Sequence, residues 1–140
     1  MSEELSLQYI AGFFDGEGSI VIWKRREKKS PREYNINLEV RINNTNKIVI
    51  DKINTLIGGN IRIKSKKDCK PCYEIIISNY RGILNFLEKI YPYLVVKKEI
   101  AKLTIEFCRS RLKNYKKPYS EKELCLYTAI NLKVKNDDDL

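Results

Sequence analysis

The sequence predicts an α+β domain in the order α-β-β-α-β-β-α: a four-stranded, mainly antiparallel sheet with helices on one face. Three observations carry this reading. Two strand pairs, over residues 19–42 and 60–78, show alternating apolar and polar positions. Apolar residues at helical spacing precede each pair and follow the second, and hairpins interrupted by helices fold into one sheet covered on one side. Finally, 140 residues suffice for one core and are too few for two.

The first helix is read over about residues 5–16, with Ser2 or Ser6 as its N-cap. Its last two turns are apolar nearly all round, as in a helix buried on more than one side. Gly12 and Gly16 stand four apart and share a face. Each costs the helix about 0.5–1 kcal/mol relative to alanine, and the return for such spacing is close approach of a second backbone. Asp15 and Glu17 fall where the helix should end, and Gly18 breaks it there. A carboxylate at that end meets the negative pole of the helix dipole, so it calls for a nearby cation.

A strand follows over 19–27, with Ile20, Ile22 and Lys24 on one face and Ser19, Val21, Trp23 and Arg25 on the other. A charged loop over 25–32 contains Pro31. In the second strand Ile36, Leu38, Val40 and Ile42 face inward, while Asn35, Asn37, Glu39 and Arg41 face outward. Thr45 is placed to cap a helix over 46–57, which Gly58-Gly59 stops. The second hairpin has strands over 60–65 and 72–78. Arg62 and Lys64 share one face of the first; Cys72, Glu74 and Ile76 share one face of the second. Further helices are read over 80–90, ending before Pro92, and over 96–112. Ser120-Glu121-Lys122-Glu123 is a capping box that opens a last helix to about residue 132. The expected organisation is a core over 1–112, a basic linker and C-terminal helix over 113–135 packed on it, and a frayed acidic tail over 136–140.

The formal net charge of +9 and a pI near 9.4 point to a polyanionic partner. There is no histidine, which excludes Ser-His, Cys-His and His-metal chemistry together. Any hydrolysis must rest on carboxylates and a hard divalent ion, with lysines as electrostatic helpers. Cys69-Lys70-Pro71-Cys72 is a CxxC without a second ligand pair, and reads as a hairpin turn, with a local disulfide if the host is a hyperthermophile. No apolar run is long enough to span a membrane and no signal peptide precedes the first helix, so the expected location is intracellular, in the cytoplasm or an organelle matrix, rather than secreted.

Ile10-Ala11-Gly12-Phe13-Phe14-Asp15-Gly16-Glu17-Gly18 resembles, position for position, the motif of the LAGLIDADG homing endonucleases. Glu17 stands at the last acidic position, where aspartate is commoner, and Gly16 stands for the alanine. The resemblance implies a metal-dependent double-strand DNA endonuclease, intron-encoded, using Mg2+ or Mn2+. Glu17 and the Gly16 carbonyl would bind metal, Asn44 would order water, and Lys47 and Lys97 would act near the scissile phosphate, with Lys98 one register slip away. A single motif copy implies a homodimer packed through Gly12 and Gly16, on a pseudo-palindromic target. The sheet's open face would then lie in the major groove of double-stranded DNA. Its contacts would be Trp23, Arg25, Asn35, Asn37, Glu39, Arg41, Arg62, Lys64, Glu74 and Ile76. Two competing readings share the fold: an RNA maturase that assists splicing, which alone would bring RNA as a partner, and a DNA-binding regulator without activity. Neither requires Glu17, Lys47 and Lys97 together.

Overall fold

Helix α1 (Leu7–Glu17) begins at Ser6, whose hydroxyl accepts the Tyr9 N–H at 3.1 Å, and it buries Ile10, Ala11 and Phe14. It leads directly into strand β1 (Gly18–Arg26), followed by β2 (Tyr34–Asn44), α2 (Lys47–Ile57), β3 (Asn60–Lys64) and β4 (Cys72–Ile77). Helices α3 (Tyr80–Ile90), α4 (Lys98–Lys113) and α5 (Glu121–Asp138) complete the chain. The computed structural model describes residues 5–27 and 33–138, with side chains through residue 135. The alternative cap Ser2, the Pro31 portion of the charged loop and residues 139–140 of the tail lie outside the described residues.

The sheet order is β1-β2-β4-β3 with every neighbouring pair antiparallel. Ile20, Ile22, Ile36, Leu38, Val40, Ile42, Ile75 and Ile77 form its buried face. They pack in one core with Phe14, Ile50, Ile53, Leu87, Phe107 and, from α5, Leu126 and Ile130. Period-two side-chain alternation thus sorts the sheet as the sequence predicts. Three inward positions depart from this: Ile61 and Ile63 on the edge strand β3 are exposed, and so is Lys24. The Lys24 ammonium lies 4.8 Å from the Tyr34 ring and 5.0 Å from the Tyr127 ring.

Several local devices differ from expectation. Asn46, not Thr45, caps α2: its side chain accepts the Val49 N–H at 3.2 Å, while Asn44 Oδ1 accepts the Asn46 N–H at 2.8 Å. Asparagine serves both roles because its carbonyl reaches backbone donors two and three residues on. A 3-10 turn at Tyr91–Tyr93, seeded by Pro92, delays α4 to Lys98. Helix α5 runs on to Asp138, so the stretch expected to fray is helical up to that residue. Gly58 ends α2 at φ +70°, the left-handed geometry glycine favours. Gly18 does not: its φ is −89°. Glycine is required there because a Cβ would lie 2.1 Å from Cδ2 of the buried Phe14 ring. All four cysteines are free, and burial pushes the Cys108 thiol up to about 12.

Over residues 34–38 strand β2 is paired only with β1, because β4 begins pairing at Val40. Two tyrosine hydroxyls close that edge at Ile36. Tyr119 accepts its N–H at 2.7 Å, and Tyr80 donates to its carbonyl at 2.6 Å. The Tyr119 ring stacks on Tyr34 with centroids 5.5 Å apart and lies 4.3 Å from the Arg111 guanidinium. Arg111 is itself buried against Glu123 at 3.2 Å. Glu123 also closes the predicted capping box: it accepts the Ser120 N–H at 2.8 Å and donates its own N–H to Ser120 Oγ at 3.1 Å. Burial alone would raise the Glu123 carboxyl; the hydrogen bonds from Ser120 and Ser110 and the Arg111 charge outweigh it and hold the carboxyl below the ordinary range.

Candidate functional site

Two surfaces carry polar groups in an organised way: the open face of the sheet and the end of α1. The ten outward residues singled out from the sequence all fall on the open face. Its register sets Arg25 across from Asn35, Trp23 across from Asn37, Arg41 across from Ile76 and Arg62 across from Glu74. Arg25, Arg62 and Lys64 are exposed, and Trp23, Asn35, Asn37 and Arg41 are half-buried. Glu39 pairs with Arg41 at 3.1 Å, and Asn35 donates to Glu27.

Glu74 has a different place from the base-reading one expected of it. It is 1% exposed, and it accepts from Arg62 at 2.7 Å, Lys64 at 3.1 Å and Asn43 at 3.0 Å. Burial by itself would push this carboxyl up. The hydrogen bonds from Arg62, Lys64 and Asn43, with the Lys64 charge, more than reverse that, so it is held below the ordinary carboxylate value. Glu74 therefore organises three donors from the two strands that flank β4, Asn43 from β2 and Arg62 and Lys64 from β3, and the ends of the two cations reach the surface while the carboxylate does not. Asn43 was missed from the sequence. It continues the outward alternation of β2 by one step, and its place opposite Glu74 is visible only in the register.

At the other surface, β1 starts beside the end of β2, with Gly18 paired to Ile42. The end of α1 and the segment carrying Asn44 and Lys47 therefore leave the sheet at one edge. Glu17 and Gly16 are exposed there. Asn44 Oδ1 is engaged by the Asn46 N–H. The Lys47 ammonium lies 2.8 Å from Asp51 in an exposed pair, and the hydrogen bond and charge of Asp51 raise its pKa. Such exposed pairs exchange partners at little cost.

The cation that the end of α1 calls for is Lys97. Its ammonium donates to the Asp15 backbone carbonyl at 2.6 Å and lies 6.0 Å from the Phe14 ring. The Asp15 carboxylate in turn accepts the backbone N–H of Val95 at 2.8 Å and of Lys97 at 2.9 Å. Lys98 points elsewhere, over the Tyr91 ring at 5.2 Å. Apart from the adjacent residues and the helix's own backbone, no heavy atom of the described residues comes within 4 Å of a Cβ built on Gly12 or Gly16. The same side of α1 exposes Tyr9, stacked on Phe13 with centroids 6.2 Å apart. Among the described residues no helix is long and apolar enough to cross a membrane.

The sequence is 27% identical over 124 residues to the DNA endonuclease I-CreI of Chlamydomonas reinhardtii, covering 86% of this chain and 73% of that one. Among solved structures, the homing endonuclease I-CvuI, in complex with the I-CreI target in the presence of Mg, superposes with a TM-score of 0.72 at 22% identity. The match covers 90% of this chain and 80% of that one. The homing endonuclease I-TnaI gives 0.72 at 19% identity, covering 94% and 89%. At those identities the structural likeness is one of fold. The sequence profile of the LAGLIDADG endonucleases matches residues 10–108, from α1 through most of α4. The chain belongs to the LAGLIDADG endonuclease family.

Proposed function

We propose that this chain is a site-specific homing endonuclease, intron-encoded, that works as a homodimer and cuts both strands of a long pseudo-palindromic duplex with a divalent metal. One observation carries the reading. An exposed Glu17 and a lysine fixed at the same helix end, Lys97, stand beside two glycines that have open space around them. A carboxylate and helix-end carbonyls are hard oxygen donors of the kind Mg2+ and Mn2+ take, but one carboxylate per chain is half a site. A second α1 packed across Gly12 and Gly16 would bring the second Glu17 to the same seam. Bound metal would supply Lewis-acid activation of water and offset phosphate charge.

The protein's own groups do the rest. Glu17 and the Gly16 carbonyl would hold the metal. Lys97, with Lys47 swung from Asp51 and Asn44 nearby, places positive charge and hydrogen bonds around the scissile phosphate. The open face enters the major groove, where Arg25, Arg41 and Arg62 suit guanine or phosphate and Asn35 and Asn37 suit adenine. Helix α5 is taken as part of the same folding unit, since Leu126 and Ile130 sit in the common core.

Replacing Glu17 by glutamine tests the assignment, because the exposed side chain keeps its size and loses its charge. Cleavage of a target duplex should be abolished with affinity retained within about tenfold. Retained cleavage, or lost binding, overturns the catalytic role.

A further inference from the structure

The proposed function leaves Asp15 without a part, although it is tied more closely to the rest of the molecule than Glu17. From the geometry we infer that Asp15 is a positioning residue for Lys97. It is a bracket that fixes the active-site lysine against the end of α1 in each protomer. The inference rests on the nuclease reading of Lys97 given above.

Three bonds cross a sequence separation of about 80 residues at this point. Both carboxylate oxygens are committed, Oδ2 to Val95 N–H at 2.8 Å and Oδ1 to Lys97 N–H at 2.9 Å. The same residue's backbone carbonyl then receives the Lys97 ammonium at 2.6 Å. The side chain therefore sets where the Lys97 backbone lies, and the main chain sets where its charge lies. Leu94 anchors the start of the turn in the core, and the residues after it are more open. Val95 and Val96 are 81% and 74% exposed, and Lys97 begins α4 without a side-chain cap. Against a flexible turn, a four-carbon stem would sweep its ammonium over several ångströms. The bracket removes that freedom before substrate arrives, which is where preorganised charge gains its effect. It also explains a carboxylate at the unfavourable end of a helix: its charge is met by two N–H groups, and the Lys97 ammonium sits on the adjacent carbonyl.

The test uses the full-length chain on a cleavable duplex, with Asp15→Asn, Lys97→Ala and the double variant. Single-turnover cleavage by Asp15→Asn should fall about 10–100-fold while affinity measured without metal stays within about threefold. The double variant should cleave no more slowly than Lys97→Ala alone, because a bracket has nothing to act on once the lysine is gone. Backbone hydrogen exchange at Val95 and Lys97 should accelerate in Asp15→Asn while the core strands keep their protection. A merely structural role would give multiplicative losses in the double variant, and that result overturns the inference. So does unchanged exchange at Val95 and Lys97. If Lys97→Ala cleaves at the wild-type rate, the role of Lys97 fails and the inference with it; additive behaviour alongside a lysine-dependent enzyme sinks the inference alone. Should Asp15→Asn not fold, Val95→Pro deletes one donor from the other side. Leu94 is extended at ψ 146°, as a residue before proline must be, and Val95 is exposed. The same cycle with Lys97→Ala then decides.

Discussion

Replacing Glu74 by glutamine removes one charge from the open side of the sheet and almost no volume. The carboxylate is 1% exposed and accepts three hydrogen bonds, two of them from cations. Glutamine keeps one acceptor and turns an NH2 group towards donors it cannot serve. Charge-assisted hydrogen bonds contribute about 1.5–3 kcal/mol each where buried. The cost of 3–5 kcal/mol for stranding a buried charge does not apply in full. Arg62 and Lys64 are 54% and 46% exposed and can turn to water. The expected loss is about 2 kcal/mol, a drop of about 1 M in the urea midpoint at neutral pH. The sign of the pH dependence follows from the lowered carboxyl. Its stabilisation is fully present above the ordinary value of 4.5 and is lost as pH falls through the lower folded-state value. The gap between wild type and Glu74→Gln should therefore narrow below pH 4.5, in parallel urea titrations at neutral and acid pH. Equal midpoints at neutral pH, or a gap that does not narrow in acid, would refute the account of Glu74 as an ionised hub.

Three further outcomes follow from the geometry. Gly18→Ala drives a methyl to 2.1 Å from a Phe14 ring that is itself packed edge-on to Phe86, so thermal unfolding should show a loss of about 3 kcal/mol. Tyr119→Phe keeps the stack on Tyr34 and removes the acceptor for the Ile36 N–H, for an expected loss of about 1–2 kcal/mol by chemical denaturation. Hydrogen exchange at Ile36 should rise with it, and an unchanged rate would remove the hydroxyl from the account. Gly12→Leu meets open space within one chain, so the protomer should fold while sedimentation reports a monomer; an intact dimer would refute packing through this face.

What could be read from the sequence divides along the range of the interaction. Alternation placed the ten residues on one side of the sheet, because strand side chains alternate with a period of two, but it did not tell exposed from buried there, as Glu74 shows. The capping box at Ser120 and the stop at Gly58 are contained within a few residues and were equally visible. The errors begin where a residue's partner is remote. Glu74 looked like any outward glutamate until the β3–β4 register placed Arg62 across from it, and that register depends on the turn between them. Arg111 sits on an ordinary-looking helix, and nothing local reveals that its guanidinium is buried on Tyr119 and Glu123. Thr45 and Asn46 were both competent caps; Asn44 decided between them by accepting the Asn46 N–H. Lys97 and Lys98 have surroundings that no local pattern shows, since Asp15 holds the first and the second lies over the Tyr91 ring.

The glycines of α1 differ in what lies where their side chains would be. Gly18 is explained within the protomer, since the Phe14 ring occupies the space of its missing side chain. Gly12 and Gly16 are not. Each destabilises the isolated helix by about 0.5–1 kcal/mol relative to alanine, and none of the described residues beyond the helix's own backbone and the adjacent positions occupies the space that their missing side chains leave. A helix that carries this cost on its exposed side, next to an exposed Glu17 and an exposed Tyr9, would find its compensation outside the protomer in the proposed dimer. In the proposed dimer that compensation and the second metal carboxylate arrive on the same element. Stability of the seam and completion of the site would then be one event, and cleavage should fall with dilution in step with the dimer population.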